Sequence, residues 1–163
     1  MAGKGGLITR LFYSALYGNI CVILFEIFLN VLAKGGHLSV IRVVVNGATG
    51  RMGTETLDAI CREEDLEAVG AVCHRDRGEL LKLSDGSDIP LSTDLESILI
   101  MTKPSVVIDF TNSSVCMASV PTIARHSVNM VLGASGLTEE NLEFLDREAI
   151  KRSIGIVVAL ISL

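Results

Sequence analysis

Tryptophan is absent from this sequence, and phenylalanine and tyrosine bring the aromatic fraction to only 4%. Proteins that hold single-stranded nucleic acid stack its bases on aromatic side chains, so this composition argues against such a surface. The formal net charge of −5 also lacks the basic excess that binding to a phosphate backbone requires. Nucleic acid is therefore not an expected partner, and any bound phosphate must be held by a local site.

Closely spaced cysteine pairs are missing as well. The four cysteines, Cys21, Cys61, Cys73 and Cys116, lie far apart, and no two of them form a C-x-x-C motif. This spacing matches neither the common zinc signatures nor a disulfide framework. We therefore expect buried free thiols in a protein of the reducing cytoplasm.

The first forty residues differ in composition from the rest of the chain. Residues 11–33 form an apolar run of about the length that spans a bilayer, flanked by Arg10 and Lys34 and interrupted by Glu26 and Asn30. This pattern predicts a hydrophobic helix, either a membrane anchor or a helix packed on the protein. A cleavable signal peptide is not expected, because the run is too long and lacks a small-x-small cleavage site.

A third interpretation is that residues 1–40 are translated upstream DNA. The tripeptide K-G-G at 34–36 can be encoded by a stretch that contains AGGAGG, a ribosome-binding sequence. Leu38 and Val40 follow at a spacing that suits TTG or GTG start codons. The protein would then be cytoplasmic, whereas a genuine apolar segment would anchor it to a membrane. The nucleotide sequence would decide between these hypotheses.

From residue 41 onward, short apolar strands alternate with helical stretches. We predict strands at residues 41–46, 67–73, 105–108, 128–132 and 154–159. We predict helices at residues 52–62, 94–101, 113–126 and 138–151. The segment 74–90 is polar and contains turn residues at 85–88. Strands separated by helices of this length imply right-handed crossovers. The expected fold is an α/β, Rossmann-type doubly wound parallel sheet of five strands.

The first predicted strand runs into a glycine-rich turn and then into a helix. The turn reads G-A-T-G-R-M-G at residues 47–53. Because glycine lacks a β-carbon, the backbone can approach a pyrophosphate, and the amides and positive dipole end of the helix hold its charge. Arg51 stands where its guanidinium could reach a phosphate. The strand–turn–helix context favours dinucleotide binding over an ordinary tight turn.

The end of the second strand indicates which dinucleotide is preferred. An acidic residue there binds the ribose hydroxyls of NADH, whereas a basic residue accommodates the 2′-phosphate of NADPH. His74 and Arg75 take this place, so the sequence favours NADPH over NADH. Asp76 follows directly and keeps NADH open as the alternative. A solvated charged loop without a ligand is a further interpretation.

Two other strand ends are expected at the same crevice. D-F-T at 109–111 closes the third strand, and G-A-S-G at 133–136 closes the fourth. Open parallel sheets bind ligands beyond the carboxyl ends of their strands, where small and hydroxylated residues allow close approach. Asp109 and Thr111 are equally consistent with a pair that caps the following helix.

Together these motifs resemble those of the dihydrodipicolinate reductase family, in order and with suitable spacing over residues 41–159. The residues that carry the resemblance are G-A-T-G-R-M-G, D-F-T and G-A-S-G-L. That family reduces 4-hydroxy-tetrahydrodipicolinate with NAD(P)H in diaminopimelate and lysine biosynthesis. The resemblance therefore implies an oxidoreductase whose cofactor is NADPH or NADH.

The resemblance also implies three groups of site residues. The pyrophosphate would be held by Gly47, Ala48, Thr49, Gly50, Arg51, Met52 and Gly53. The adenosine ribose or its phosphate would be met by His74 and Arg75. The nicotinamide would be bordered by Phe110, Thr111, Gly133, Ala134 and Ser135. Ala134 and Ser135 depart from the two threonines of the usual G-T-T-G, and His74 stands where many members carry an acidic residue.

The carboxyl-terminal end departs most from the family pattern. Members continue from the fifth strand into A-P-N-F-S-x-G and a substrate domain, whereas residues 160–163 here read as a divergent tail. The substrate domain carries the family's proposed acid, a histidine, and none of His37, His74 and His126 matches its motif. We therefore expect the chain to bind a dinucleotide weakly and to reduce no substrate. Substrate binding and family-like oligomers would require a full-length form.

Other classes of protein share parts of this pattern. A non-catalytic dinucleotide-binding or assembly protein, with or without a membrane anchor, would keep the fold alone. Short-chain dehydrogenases need Tyr-x-x-x-Lys after the fourth strand, but Tyr13 and Tyr17 both lie in the leader. Semialdehyde dehydrogenases need a nucleophilic cysteine, whereas Cys116 lies in an apolar stretch typical of a core. The two enzyme alternatives fail on missing residues.

Overall fold

The computed structural model describes residues 8–14 and 40–162, with the side chains of residues 40–159. The strands in these ranges are β1 (Ile8–Ser14), β2 (Ile41–Asn46), β3 (Leu66–Val72), β4 (Leu80–Lys82), β5 (Asp88–Ser92), β6 (Val106–Asp109), β7 (Asn129–Leu132) and β8 (Ile156–Ser162). The helices are α1 (Arg51–Ile60), α2 (Leu95–Thr102), α3 (Ser113–Arg125) and α4 (Glu139–Arg152). Every helix predicted from residue 41 onward is therefore present.

The described strands form one sheet in the order β1-β8-β7-β6-β2-β3-β5-β4. Neighbouring strands are parallel except for β4 and β5, which are antiparallel. From β2 the chain moves outward to β3 and β5, returns to β6 on the other side of β2, and continues to β7 and β8. This reversal confirms the predicted doubly wound fold and puts its switch point between β2 and β6.

Helices pack on both faces of the sheet. Val43 and Val45 of β2 belong to the apolar cluster that contains the buried residues of α1. Val44, between them, belongs to the cluster that contains those of α2, α3 and α4. Because both faces are covered, Val43, Val44 and Val45 form a β-branched run after the exposed Arg42, without the polar alternation of a half-exposed strand. The prediction of a strand buried on both faces is confirmed.

The segment 74–90, predicted to be polar with turn residues and no strand, contains β4 and the start of β5. Its predicted turn is present, since Oδ1 of Asp85 accepts hydrogen bonds from the backbone amide and the hydroxyl of Ser87. Ile89 and Leu91 of β5 are buried in the cluster that includes α1. The prediction of five strands was wrong here, because strands this short show a single apolar–polar alternation that sequence periodicity does not resolve.

The first and last of the described strands pair at one edge of the sheet. β1 pairs in parallel with β8, from Ile8 beside Ile156 to Ser14 beside Ser162. Residues 11–14 therefore belong to a strand and not to the predicted hydrophobic helix. Pairing with β8 gives their backbone N–H and C=O groups the partners that a helix would otherwise have supplied. The rest of that predicted helix lies outside the described residues. Residues 160–162, predicted as a tail, extend β8.

Membrane crossing was one of the interpretations of the leader. Among the described residues, no helix has both the length and the apolar character needed to cross a bilayer.

Candidate functional site

The switch point between β2 and β6 is where an open α/β sheet forms its ligand crevice. β2 and β6 are parallel neighbours, and the chain continues from them into α1 and α3, which pack on opposite faces. Helices that diverge from adjacent strands leave room between their first turns, and open α/β sheets bind ligands in that room. The turn at 47–50 and the turn at 110–112 border the crevice. This is the place where the strand ends predicted a ligand site.

Glycine is required at two positions near β2 for different reasons. Gly47 has a φ of +80°, a conformation that residues with a β-carbon rarely adopt. Gly53 is buried in the first turn of α1, where a β-carbon would come closer than 3.0 Å to backbone atoms of Gly47 and Ala48. Gly47 therefore makes the turn, and Gly53 lets the helix pack directly on it.

Some amides of the turn are already engaged. The amides of Gly47 and Ala48 both donate to the carbonyl of Val72, at 3.0 Å each, which ties the turn to β3. The amides of Arg51 and Met52 open α1, where the first N–H groups have no partner within the helix. The described side chains do not cap them, and the first turn contains no acidic residue. The positive end of this helix is therefore available to an anion.

Basic residues follow β3, which lies beside β2. His74, Arg75 and Arg77 are exposed, and they form no ion pair with another described residue. Asp76, in contrast, is engaged within its own loop, since Oδ1 accepts a hydrogen bond of 3.0 Å from the amide of Gly78. The loop therefore presents positive charge next to the glycine turn.

Asp109 ends β6 with its side chain fully buried. Its Oδ2 accepts a hydrogen bond of 2.7 Å from Nδ2 of Asn46, the last residue of β2. Its Oδ1 accepts from the amide of Thr111 at 2.8 Å and from the Thr111 hydroxyl. The cap of α3 is Asn112, which accepts from the amide of Val115. The interpretation of Asp109 and Thr111 as a helix cap is therefore wrong.

Phe110 lies between two glycine-containing turns, with its ring against one and its carbonyl group against the other. A β-carbon at Gly133 would come closer than 3.0 Å to Cε1 and Cδ1 of Phe110. On the other side, a β-carbon at Gly47 would lie 3.2 Å from the carbonyl carbon and oxygen of Phe110. The absence of these two side chains brings the ends of β2, β6 and β7 together at one corner of the crevice.

The predicted site residues after β7 differ in their exposure to solvent. Ala134 is fully buried and packs in the core cluster of α2, α3 and α4. Ser135 is exposed, and Gly136 follows with a φ of +81°. Alanine in place of the family's threonine therefore removes no hydroxyl from the exposed surface, whereas the hydroxyl of Ser135 is accessible.

The segment that contains this crevice matches a known family. A family model described as dihydrodipicolinate reductase, N-terminus, matches residues 41–160. The chain belongs to this family. The family match ends where β8 passes into the segment that the sequence predicted as a divergent tail.

Two curated relatives of this chain carry the same description. A 4-hydroxy-tetrahydrodipicolinate reductase of Dehalococcoides mccartyi is 44% identical over 120 residues, which cover 73% of this chain and 46% of that protein. One of Listeria innocua is 38% identical over 122 residues, covering 72% of this chain and 46% of the relative. The chain thus spans about half the length of the curated relatives it matches.

Solved structures agree with the fold. Dipicolinate-bound dihydrodipicolinate reductase from Paenisporosarcina sp. TG-14 is 29% identical, with a TM-score of 0.63 over 73% of this chain and 46% of that one. Biliverdin reductase from Synechocystis sp., in complex with biliverdin and NADP⁺, has a TM-score of 0.61 at 14% identity, covering 74% of this chain and 38% of its own. The second likeness shows the fold alone.

The site residue that sequence reasoning missed in this dihydrodipicolinate reductase domain is Asn46. A signal was present, because Asn46 ends a β-branched run whose other members are buried, and a buried amide needs a hydrogen-bond partner. The partner, Asp109, lies 63 residues away in sequence. Strand pairing alone brings them together, so the sequence does not reveal the pair.

Cys116 belongs to the core and not to the crevice. Its side chain is fully buried, as predicted, and burial together with the negative charge of Asp109 raises the pKa of its thiol to about 12. Only the thiolate reacts with alkylating agents. We therefore expect Cys116 to stay unmodified by iodoacetamide at pH 8 in the folded protein and to react after denaturation, as measured by peptide mass mapping.

The half-buried Cys61 is the internal control for this experiment, and it should be modified first. Rapid labelling of Cys116 would contradict the assignment.

The raised pKa of the Cys116 thiol also makes the stability of the fold depend on pH. Because the unfolded thiol ionises near its ordinary pKa of 9.0 while the folded thiol stays protonated, the stabilisation present below pH 9.0 is lost as the pH rises towards 12.

Proposed function

We propose that residues 41–159 are the NAD(P)H-binding domain of a 4-hydroxy-tetrahydrodipicolinate reductase. The observation that carries this proposal is the glycine turn, whose glycines bring α1 against the backbone while the first amides of α1 stay open to the crevice. Two adjoining phosphates need such a surface of amides and positive dipole without side-chain obstruction. Family membership supports the same assignment.

In this proposal the pyrophosphate lies against the turn and the start of α1. The amides of Arg51 and Met52 donate to it, the exposed Gly50 allows close approach, and the Arg51 guanidinium neutralises part of its charge. Ala48 and Gly53 act differently, because both are buried and support the backbone from behind. Thr49, half-buried in the turn, completes this group.

The nicotinamide end of the cofactor would lie at the corner formed by β6 and β7. Phe110 and Thr111 border it on one side, and Gly133 and Ser135 border it on the other, where the buried Ala134 supports the backbone between them. A bound reduced nicotinamide supplies the hydride for reduction. The residues of this chain orient the ring and exclude water from one face of it, because the corner is built from packed backbone and a half-buried aromatic ring.

Reduction of 4-hydroxy-tetrahydrodipicolinate would require the half of the curated relatives that this chain does not span. The described histidines are unsuited to the proton transfer that the family's substrate domain is expected to perform. His126 lies at the end of α3 beside Glu96, at 3.4 Å, and His74 lies in the exposed loop after β3. We therefore propose that the chain by itself binds cofactor without turnover, and that substrate and oligomer contacts belong to a full-length form.

The binding proposal is tested by titrating the full chain with NADPH and NADH, following the fluorescence of the reduced nicotinamide and, independently, the heat of binding. We expect saturable binding of both. A chain that is folded by circular dichroism but binds neither cofactor at millimolar concentration would refute the proposed function.

NADPH is the proposed preferred cofactor, and His74 and Arg75 are proposed to meet its 2′-phosphate. Arg75→Asp should weaken NADPH binding about tenfold, since a charge-assisted hydrogen bond is lost, and should leave NADH within about twofold. The matched control is Arg62→Asp, which makes the same charge change just beyond the carboxyl-terminal end of α1, the end away from the glycine turn. Equal losses for NADPH and NADH would remove the proposed preference.

A further inference from the structure

Asp109 is a buried carboxylate that no described cation neutralises. It is 0% exposed, and no described basic side chain forms an ion pair with it. A charge in such a place is costly unless hydrogen bonds replace its hydration. Three donors do so here, namely Nδ2 of Asn46 and the amide and hydroxyl of Thr111. An apolar side chain could fill this space at no such cost, so the polar pair calls for an explanation beyond packing.

The three donors come from both sides of the switch point. Asn46 is the last residue of β2 and directly precedes the glycine turn. Thr111 follows the half-buried Phe110 on the other strand end. Nδ2 of Asn46 also approaches Oγ of Ser119 in α3 at 3.4 Å. The Asp109 carboxylate therefore links the end of β2 to the corner at residues 110–111. Through Asn46 and Ser119, the same network reaches α3.

Phe110 has supports of its own besides this pair. Its ring lies against Gly133 and packs on the apolar cluster that includes Ile108 and Val131, and its carbonyl lies against Gly47. The amide of Phe110 donates to the carbonyl of Asn46 at 3.0 Å, so the same two strand ends are also linked through the backbone. The hydrogen bonds of the Asp109 carboxylate add a second link, which connects Asn46 to Thr111, the residue after Phe110.

We infer that Asp109 and Asn46 are a positioning pair that fixes Phe110 and Thr111 in the orientation required by the nicotinamide end of the dinucleotide. This inference rests on the proposed function, because it takes the corner at residues 110–111 as the nicotinamide site. It differs from a general stabilising role in one respect. The pair should matter for ligands that carry nicotinamide and not for ligands that lack it.

Exchange of the two side chains provides the test. In Asp109→Asn, the new amide group offers one acceptor where three donors converge and turns a donor towards one of them. In Asn46→Asp, two buried carboxylates would face each other at the distance of the present hydrogen bond. The double exchange Asn46→Asp with Asp109→Asn restores a carboxylate opposite an amide, and the amide oxygen introduced at position 109 can still accept from Thr111.

Binding of NADPH and of adenosine 2′,5′-bisphosphate, which has no nicotinamide, is measured on the full chain by calorimetry. We expect each single exchange to weaken NADPH about tenfold, as for loss of a hydrogen bond to a charged group, and to leave the bisphosphate within about twofold. The double exchange should return NADPH affinity to within about threefold of the original, a coupling that independent sites do not show.

Each result decides something different. Equal weakening of both ligands, or a double exchange no better than the single ones, would overturn the positioning role while leaving the cofactor site intact. Binding of neither ligand by the unaltered chain would instead refute the proposed function. Should a single exchange fail to fold, Asn46→Ala removes one donor without adding charge. It should weaken NADPH several-fold with the bisphosphate unchanged, and an unchanged NADPH affinity would count against the pair.

Discussion

Replacement of Gly53 by alanine is expected to lower the free energy of unfolding by about 2–3 kcal/mol, the cost of overpacking a close contact. The new β-carbon would come closer than 3.0 Å to the carbonyl oxygen of Gly47 and to the Cα and carbonyl carbon of Ala48. These are backbone atoms, so no side-chain rotation relieves the contact, and α1 must move away from the turn. The sign is opposite to the usual gain of about 1 kcal/mol for glycine to alanine within a helix.

The same displacement should weaken NADPH binding about tenfold or more, because a site works only when its donors are held within about 0.5 Å of the required geometry. Urea unfolding and cofactor titration measure the two effects. Gly155→Ala is the matched control, since a β-carbon there meets only Oδ1 of Asn129, at an ordinary 3.5 Å. It should change neither quantity appreciably. Unaltered stability and affinity in Gly53→Ala would show that α1 does not depend on this contact.

Leu145→Ala is expected to lower the free energy of unfolding by about 3 kcal/mol, the usual cost of a cavity left by a fully buried leucine. Leu145 is 0% exposed and joins α4 to the core cluster shared with α2 and α3. This face of the sheet carries three of the four described helices, so loosening α4 affects the whole domain. The midpoint of urea unfolding should fall while the slope stays the same.

Ile150→Ala is the control for this prediction, because Ile150 lies on the same helix with 60% of its surface exposed. Its replacement should change stability by less than about 0.5 kcal/mol. The NADPH affinity of folded Leu145→Ala should equal that of the unaltered chain, since α4 lies outside the proposed binding residues. Similar losses for the two substitutions would mean that α4 is not packed as described.

Much of the fold could be predicted because its signals are local. The β-branched run before residue 47, the glycines after it and the helix that follows lie within a few turns of chain. The four helices of the domain show the same kind of local periodicity. β4 and β5 were not predicted because each is short, and each depends on a distant or neighbouring strand: β5 pairs with β3 and with β4, and β4 pairs with β5. β1 was not predicted because an apolar run is compatible with either a helix or a strand until its partner strand is known.

The candidate site was predictable to a similar extent and for a similar reason. Glycine turns and strand-end motifs are visible as short patterns, and they led to the residues that border the crevice. The roles within those patterns were less visible. Gly53 proved to support the packing of α1, and Ala134 proved to be buried core, because burial depends on what the rest of the chain places against a residue.

By itself the amino-acid sequence determined the class of fold, the strand–turn–helix unit at residues 41–60 and the family, because these depend on neighbours along the chain. Only the tertiary structure decided that β6 lies beside β2, and therefore that Asp109 meets Asn46 and Phe110 meets Gly133. The physical reason is that strand order is set by burial of both sheet faces at once. That is a property of the whole chain, which no short segment contains.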